Sequence, residues 1–220
     1  MRWHLGSTTL AAVGTLLAAL AGAMQSNELS EALARKPNLE HGESLYLTCA
    51  ACHQPDGAGT ADGDIPIIAG QHHAYIIAQL VEFRRSERVE LRMNTFADRH
   101  HLENSQDLAD VAAYISSMPV RRTNKVGTGQ FTGFGAQIYN RACVSCHGTN
   151  ADGNGQLRYP RLAGQHYGYL VKQFDMMTRG TRFNSSWDHS ELLRSLTVQQ
   201  TAGVADYVAR LSPDASSPAK

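Results

Sequence analysis

The sequence lacks a surplus of either charge, since 20 Lys and Arg balance 20 Asp and Glu. No net field therefore steers the chain toward nucleic acid or an anionic membrane, and nucleic acid is not an expected partner. Aromatic residues are scarce at 7%, and the many short apolar side chains suit helices better than sheets. After residue 23 no apolar run approaches the roughly 20 residues that a bilayer span needs. Cysteine is confined to four positions, Cys49, Cys52, Cys143 and Cys146.

What is present starts with a leader. Arg2 and His4 precede an uncharged run from Leu10 to Ala21, and Ala21-Gly22-Ala23 is a small-x-small cleavage signature. The pattern predicts a secretory signal peptide over 1–23, cut after Ala23, with the mature protein outside the cytoplasm. The alternative is a retained N-terminal anchor, for which the apolar run is short.

Each cysteine pair is followed at once by histidine, in Cys49-Ala50-Ala51-Cys52-His53 and Cys143-Val144-Ser145-Cys146-His147. Two thiols one helical turn apart can form thioethers to the two vinyl groups of one haem, and the next residue aims an imidazole at its iron. Two covalently bound haem c groups are therefore expected, with His53 and His147 as proximal ligands. Structural disulfides suit an exported protein but leave both histidines unexplained. A thioredoxin-type site wants a βαβ context, and neither motif has flanking strands. A four-cysteine zinc site would have to join pairs 94 positions apart, each inside its own repeat.

The repeat is visible by subtraction. Cys49 and Cys143 differ by 94, as do Pro66 and Pro160, Gly70 and Gly164, Tyr75 and Tyr169, and Arg88 and Arg182. Pro66-Ile-Ile-Ala-Gly-Gln-His72 matches Pro160-Arg-Leu-Ala-Gly-Gln-His166, while Asp56-Gly57 matches Asp152-Gly153 at an offset of 96. Each copy reads as helices leading into the cysteines, over Tyr75 to Ser86 and Tyr169 to Thr178, and at the end of each half. There Leu108, Val111, Ala112 and Ile115 recur at helical spacing, as do Val204, Tyr207, Val208 and Leu211. The expected architecture is all-α, with domains over 38–119 and 133–212 and a linker over 120–132. Each half has only about 80 residues, a size at which a protein core alone stabilises little, so the macrocycle is expected to complete each core.

These motifs resemble the two-domain cytochrome c4 family and are similar to the dihaem subunit of flavocytochrome c sulfide dehydrogenases. The resemblance spans about Gly42 to Leu211 and rests on the duplicated Cys-x-x-Cys-His, Asp-Gly-x-Gly, Pro-x-x-Ala-Gly-Gln and tyrosine-helix elements. It implies two tandem class I cytochrome c domains about a pseudo-twofold axis, with haem propionates facing across the interface. It also implies a periplasmic electron carrier, with redox proteins as transient partners and a membrane oxidase or dehydrogenase among them.

The distal ligands separate the halves. Met93 lies between the middle and terminal helices, where the family has its axial methionine; the competing reading is a core methionine, and His100 and His101 are rival donors. The second half departs from this pattern. Registering Leu196 with Leu102 sets Trp187 opposite Met93, and no methionine follows Met177. His189 is the nearest iron-binding side chain in the corresponding loop, giving a His147/His189 pair; an open or water-bound iron and a ligand from Met176 or Met177 are the alternatives. Pro66 and Pro160 are expected to offer carbonyls to the proximal imidazoles. Arg88 and Arg182 are expected either to pair with propionates or to lie at the surface, and His72 and His166 to start helices. Two function classes follow: a dihaem carrier without a catalytic residue, or a haem enzyme or electron-transfer subunit of a sulfur-compound dehydrogenase. A catalytic iron would need an exchangeable sixth position.

Overall fold

The computed structural model describes residues 28–121 and 123–212. The predicted signal peptide lies outside the described residues. Among those described there is no strand beyond one isolated bridge between Asn154 and Tyr159, and no helix long and apolar enough to cross a membrane.

Ten helices are described. A segment over 28–34 forms α1. The first lobe continues with α2 (Leu39–His53), α3 (His73–Arg84), α4 (Leu91–Phe96) and α5 (Ser105–Ser117). The second repeats the order with α6 (Thr132–Ala142), α7 (Val144–His147), α8 (Tyr167–Thr178), α9 (Trp187–Arg194) and α10 (Val198–Arg210). Local chemistry sets several starts. Asn38 and Asn104 accept the first free N–H groups of α2 and α5, and Thr197 with Gln200 forms a capping box on α10. The second opening helix is broken at Cys143, whereas α2 runs unbroken through His53.

Each lobe has its own core. Tyr46, Ile77, Leu108, Val111 and Ile115 belong to the first, and Tyr139, Leu170, Phe174, Val204 and Val208 to the second. The opening and terminal helices cross at glycine: a Cβ on Gly42 would lie 2.1 Å from the Asp110 carbonyl oxygen, and one on Gly135 2.0 Å from that of Gly203. This crossing holds the cysteine-bearing helix against the terminal helix. Two elements extend the expected picture. The segment α1 packs on the first lobe through buried Ala32, and Glu28 pairs with Arg84 and Arg99. The predicted linker is pinned to the second lobe, with Gly127 and Gly129 N–H donating to Asp206 and Asn124 donating to the carbonyls of Gln165 and Ala209.

Candidate functional site

Both motif histidines, His53 and His147, end a helix, and the next residue turns the chain through positive φ, 67° at Gln54 and 77° at Gly148. Glycine adopts this freely, while glutamine pays about 1–3 kcal/mol. The Tyr46 hydroxyl ties down one turn by donating to the Gln54 carbonyl at 2.7 Å, and Tyr139 does the same at the Gly148 carbonyl at 2.6 Å. The chain then returns so that His53 Nδ1 meets the Pro66 carbonyl and His147 Nδ1 the Pro160 carbonyl, both at 3.1 Å. A carbonyl only accepts, so each Nδ1 carries the proton and each Nε2 is left as the donor atom for a metal. Both proline carbonyls thus stand where the sequence reading expected them.

Burial pushes the proton affinity of both imidazoles down; the Pro66 and Pro160 carbonyls oppose this, and Arg92 adds to the depression at His53. The neutral, ligating form is favoured. Burial likewise pushes the Cys49 and Cys143 thiols up to about 11. None of the four cysteines is in a disulfide, and the two pairs sit in separate lobes, which rules out a shared zinc site. Paired thiols one turn apart, followed by an imidazole with a free Nε2, are the donor set a covalently attached haem requires.

Met93 and His189 occupy equivalent places. Met93 is the third residue of α4, and its N–H is capped by the Glu90 carboxylate at 3.1 Å. His189 is the third residue of α9, and its N–H is capped by the Ser186 hydroxyl at 3.3 Å. The caps set the register of the two helices at an offset of 96, which brings His189 rather than Trp187 opposite Met93. Trp187 instead corresponds to Leu91, and both are exposed. The difference arises because Arg88/Arg182 and Leu102/Leu196 bracket a compensated two-residue shift that anchors on either side cannot locate.

The His189 ring stands 6.3 Å from that of His147, centre to centre, at 48°. Its Nδ1 is 3.3 Å from the Ser185 hydroxyl, which leaves Nε2 free. Burial, His147 and Arg182 together hold its proton affinity down at about 4. Met177 is part of the second core, and the Met176 sulfur takes the Gln173 amide. His101 pairs with Asp98 and packs on Phe96, and His100 is exposed.

Arg88 and Arg182 are not surface residues. Both are buried at the seam between lobes. Arg88 donates to Gln79, to the Tyr169 hydroxyl and to Gln173; Arg182 donates to Gln173, to the Tyr75 hydroxyl and to Gln79. Burial raises the proton affinity of Glu82 beside them, with Asn184 and both arginines opposing. The position matching Glu82 in the second half is Met176, so around these arginines the seam has two guanidiniums near one carboxylate, while the Lys172–Asp64 and Arg161–Asp152 pairs lie elsewhere along it. Such a cationic seam suits the carboxylates that a haem carries. His72 and His166 precede α3 and α8 but do not cap them. Each instead crosses the seam, His72 Nε2 to the Asp152 carbonyl and His166 Nε2 to the Ala58 carbonyl. Sequence reasoning missed this role, although the recurrence of Gln-His in both halves was its signal.

A family model for cytochrome c matches residues 39–119 and again 134–212. The chain is 30% identical to cytochrome c4 of Azotobacter vinelandii over 188 residues, covering 76% of this chain and 86% of the relative. It is 29% identical to a thiosulfate dehydrogenase electron acceptor of Stutzerimonas stutzeri over 206 residues, covering 89% and 94%. The crystal structure of reduced recombinant cytochrome c4 from Pseudomonas stutzeri superposes with a TM-score of 0.69 at 26% identity, over 80% of this chain and all of that one. Duplicated haem-attachment motifs, two helical lobes and these relatives agree: the chain belongs to the cytochrome c4 family of dihaem electron-transfer proteins.

Proposed function

We propose that this protein is a periplasmic carrier whose two haem sites differ in potential, His53/Met93 in the N-terminal domain (38–119) and His147/His189 in the C-terminal domain (133–212). The observation that carries the reading is the 6.3 Å between the His147 and His189 rings. Imidazole bonds to a metal run roughly 2 Å, so this ring separation would leave room for one iron to be held between the two residues. Both Nδ1 atoms have partners, so both Nε2 atoms are available. The matched capping of Met93 and His189 supports Met93 as the corresponding ligand.

The haems, when bound, supply one-electron iron chemistry; the chain sets the order. A thioether stabilises ferrous iron relative to imidazole and raises the potential. With these ligand sets the C-terminal site would be the electron entry and the N-terminal site the exit. With both ligand pairs in place, each iron would have no open position for substrate, which favours a carrier over a haem enzyme. The likeness to a thiosulfate dehydrogenase electron acceptor over 89% of the chain favours a sulfur-compound dehydrogenase as donor, with a terminal acceptor downstream; a quinol-oxidising complex is the other donor. Electron paramagnetic resonance of oxidised holoprotein tests the ligand sets. Wild type is expected to show two low-spin signals, and His189→Ala to convert only the C-terminal one to a high-spin or exchangeable form. Unchanged ligation of both haems in that variant would sink the assignment.

A further inference from the structure

The paired Ala-Gly-Gln segments have a role that the distal-ligand reading does not use. Gln165 of the second lobe reaches the first, where its Oε1 accepts from the Ile67 N–H at 3.0 Å and its Nε2 donates to the Ile67 carbonyl at 2.7 Å. Gln71 reciprocates, accepting from the Arg161 N–H at 2.9 Å and donating to the Arg161 carbonyl at 3.0 Å. Each glutamine therefore clamps one residue of the opposite lobe at two points. The clamped residue directly follows the proline whose carbonyl holds the proximal histidine.

The Pro66 carbonyl and the Ile67 N–H belong to the same peptide group. That group is planar, with its C=O and N–H opposed. Fixing the N–H toward Gln165 also fixes the C=O toward His53 Nδ1. The chain of bonds runs from the His53 ring through one amide to a side chain of the other lobe, and each bond polarises the next. Gln165 is buried, as are Ile67 and His53, so water does not compete at either end. The same chain links His147 through the Pro160–Arg161 peptide to Gln71.

We propose that Gln165 and Gln71 are positioning residues acting in trans, each tuning the proximal ligand of the haem in the other domain. A stronger acceptor at Nδ1 gives the imidazole more anionic character and favours ferric iron. Losing the clamp weakens that acceptor and favours the reduced state. Docking of the lobes thus becomes part of the redox setting of each iron, and the proposal is independent of which residues occupy the distal positions.

The test uses full-length holoprotein carrying Gln165→Met or Gln71→Met, near-isosteric changes that remove both cross-lobe bonds together with the bond each Oε1 accepts from the next N–H of its own lobe, that of His166 or His72. Haem-resolved redox titration and proton magnetic resonance of the histidine Nδ1 protons are read together. Gln165→Met is expected to shift the oxidised-to-reduced ratio of the N-terminal haem at fixed potential toward reduced, on the order of threefold. It should also move the His53 Nδ1 proton while leaving the C-terminal haem unchanged. Gln71→Met should give the mirror result. If the methionine variants fail to assemble, Gln165→Asn and Gln71→Asn, which shorten the reach and stay polar, give the same crossed reading. A response confined to the substituted lobe, an equal response of both haems, or no response overturns the proposal; equal response is what mere loosening of the seam would produce.

Discussion

The crossing of α6 and α10 offers a quantitative test of how the fold presents the second attachment motif. An added Cβ at Gly135 would stand 2.0 Å from the Gly203 carbonyl oxygen and 2.1 Å from its carbon. Backbone cannot yield as a side-chain tip can, so the helices must part by more than about 1 Å to restore ordinary contact. Overpacking of this kind costs about 1–3 kcal/mol, and an alanine regains at most about 1 kcal/mol of helix propensity. The backbone contact places the steric cost at the upper end, and Gly135→Ala should lose about 2 kcal/mol. Gly133 is an internal control in the same helix, because a Cβ there meets nothing within 4 Å. Gly133→Ala should be neutral or gain about 0.5 kcal/mol. Guanidinium unfolding of holoprotein, followed by far-ultraviolet circular dichroism and by absorption of the C-terminal haem, separates the two. Because α6 leads into Cys143, the haem signal should report the loss together with the helix signal. Equal midpoints for the two variants would refute the steric argument.

On the proposed His53/Met93 ligand pair, Met93→His should lower the N-terminal potential by on the order of tenths of a volt, within the roughly 0.8 V span that axial ligands command. Potentiometry should then show the gap between the two haems narrowed. Acidification should weaken the first lobe at Asp110. Burial raises this carboxyl, but the Asn38 N–H, His41 and Gln106 outweigh it and hold it below its ordinary value. A depressed carboxyl adds stability above the unfolded value of about 3.9 and loses it as pH falls through the lower folded value. Unfolding midpoints of the first lobe should therefore drop below about pH 4, and Asp110→Asn should flatten that decline; an unchanged slope would remove Asp110 as its source.

The local features of this protein were determined by sequence alone. Two thiols and an imidazole within five consecutive residues define a covalent attachment site wherever the chain places it, and a duplicated sequence folds twice into the same order of helices, apart from the break at Cys143. Helical periodicity located α5 and α10 because their buried faces repeat along a single stretch of chain. Only the tertiary structure decided the rest. The caps of α4 and α9 brought His189 into register with Met93, since a compensated two-residue shift has no mark in sequence until a hydrogen bond locates it. The seam joins residues about a hundred positions apart, Gln165 to Ile67 and Arg88 to Gln173. It also decided between the two places open to Arg88 and Arg182, putting both in the interior rather than at the surface. Hydrogen-bond partners across two separately folded lobes leave no periodicity in the chain, so how one domain grips the other, and through it the opposite iron ligand, is decided in three dimensions.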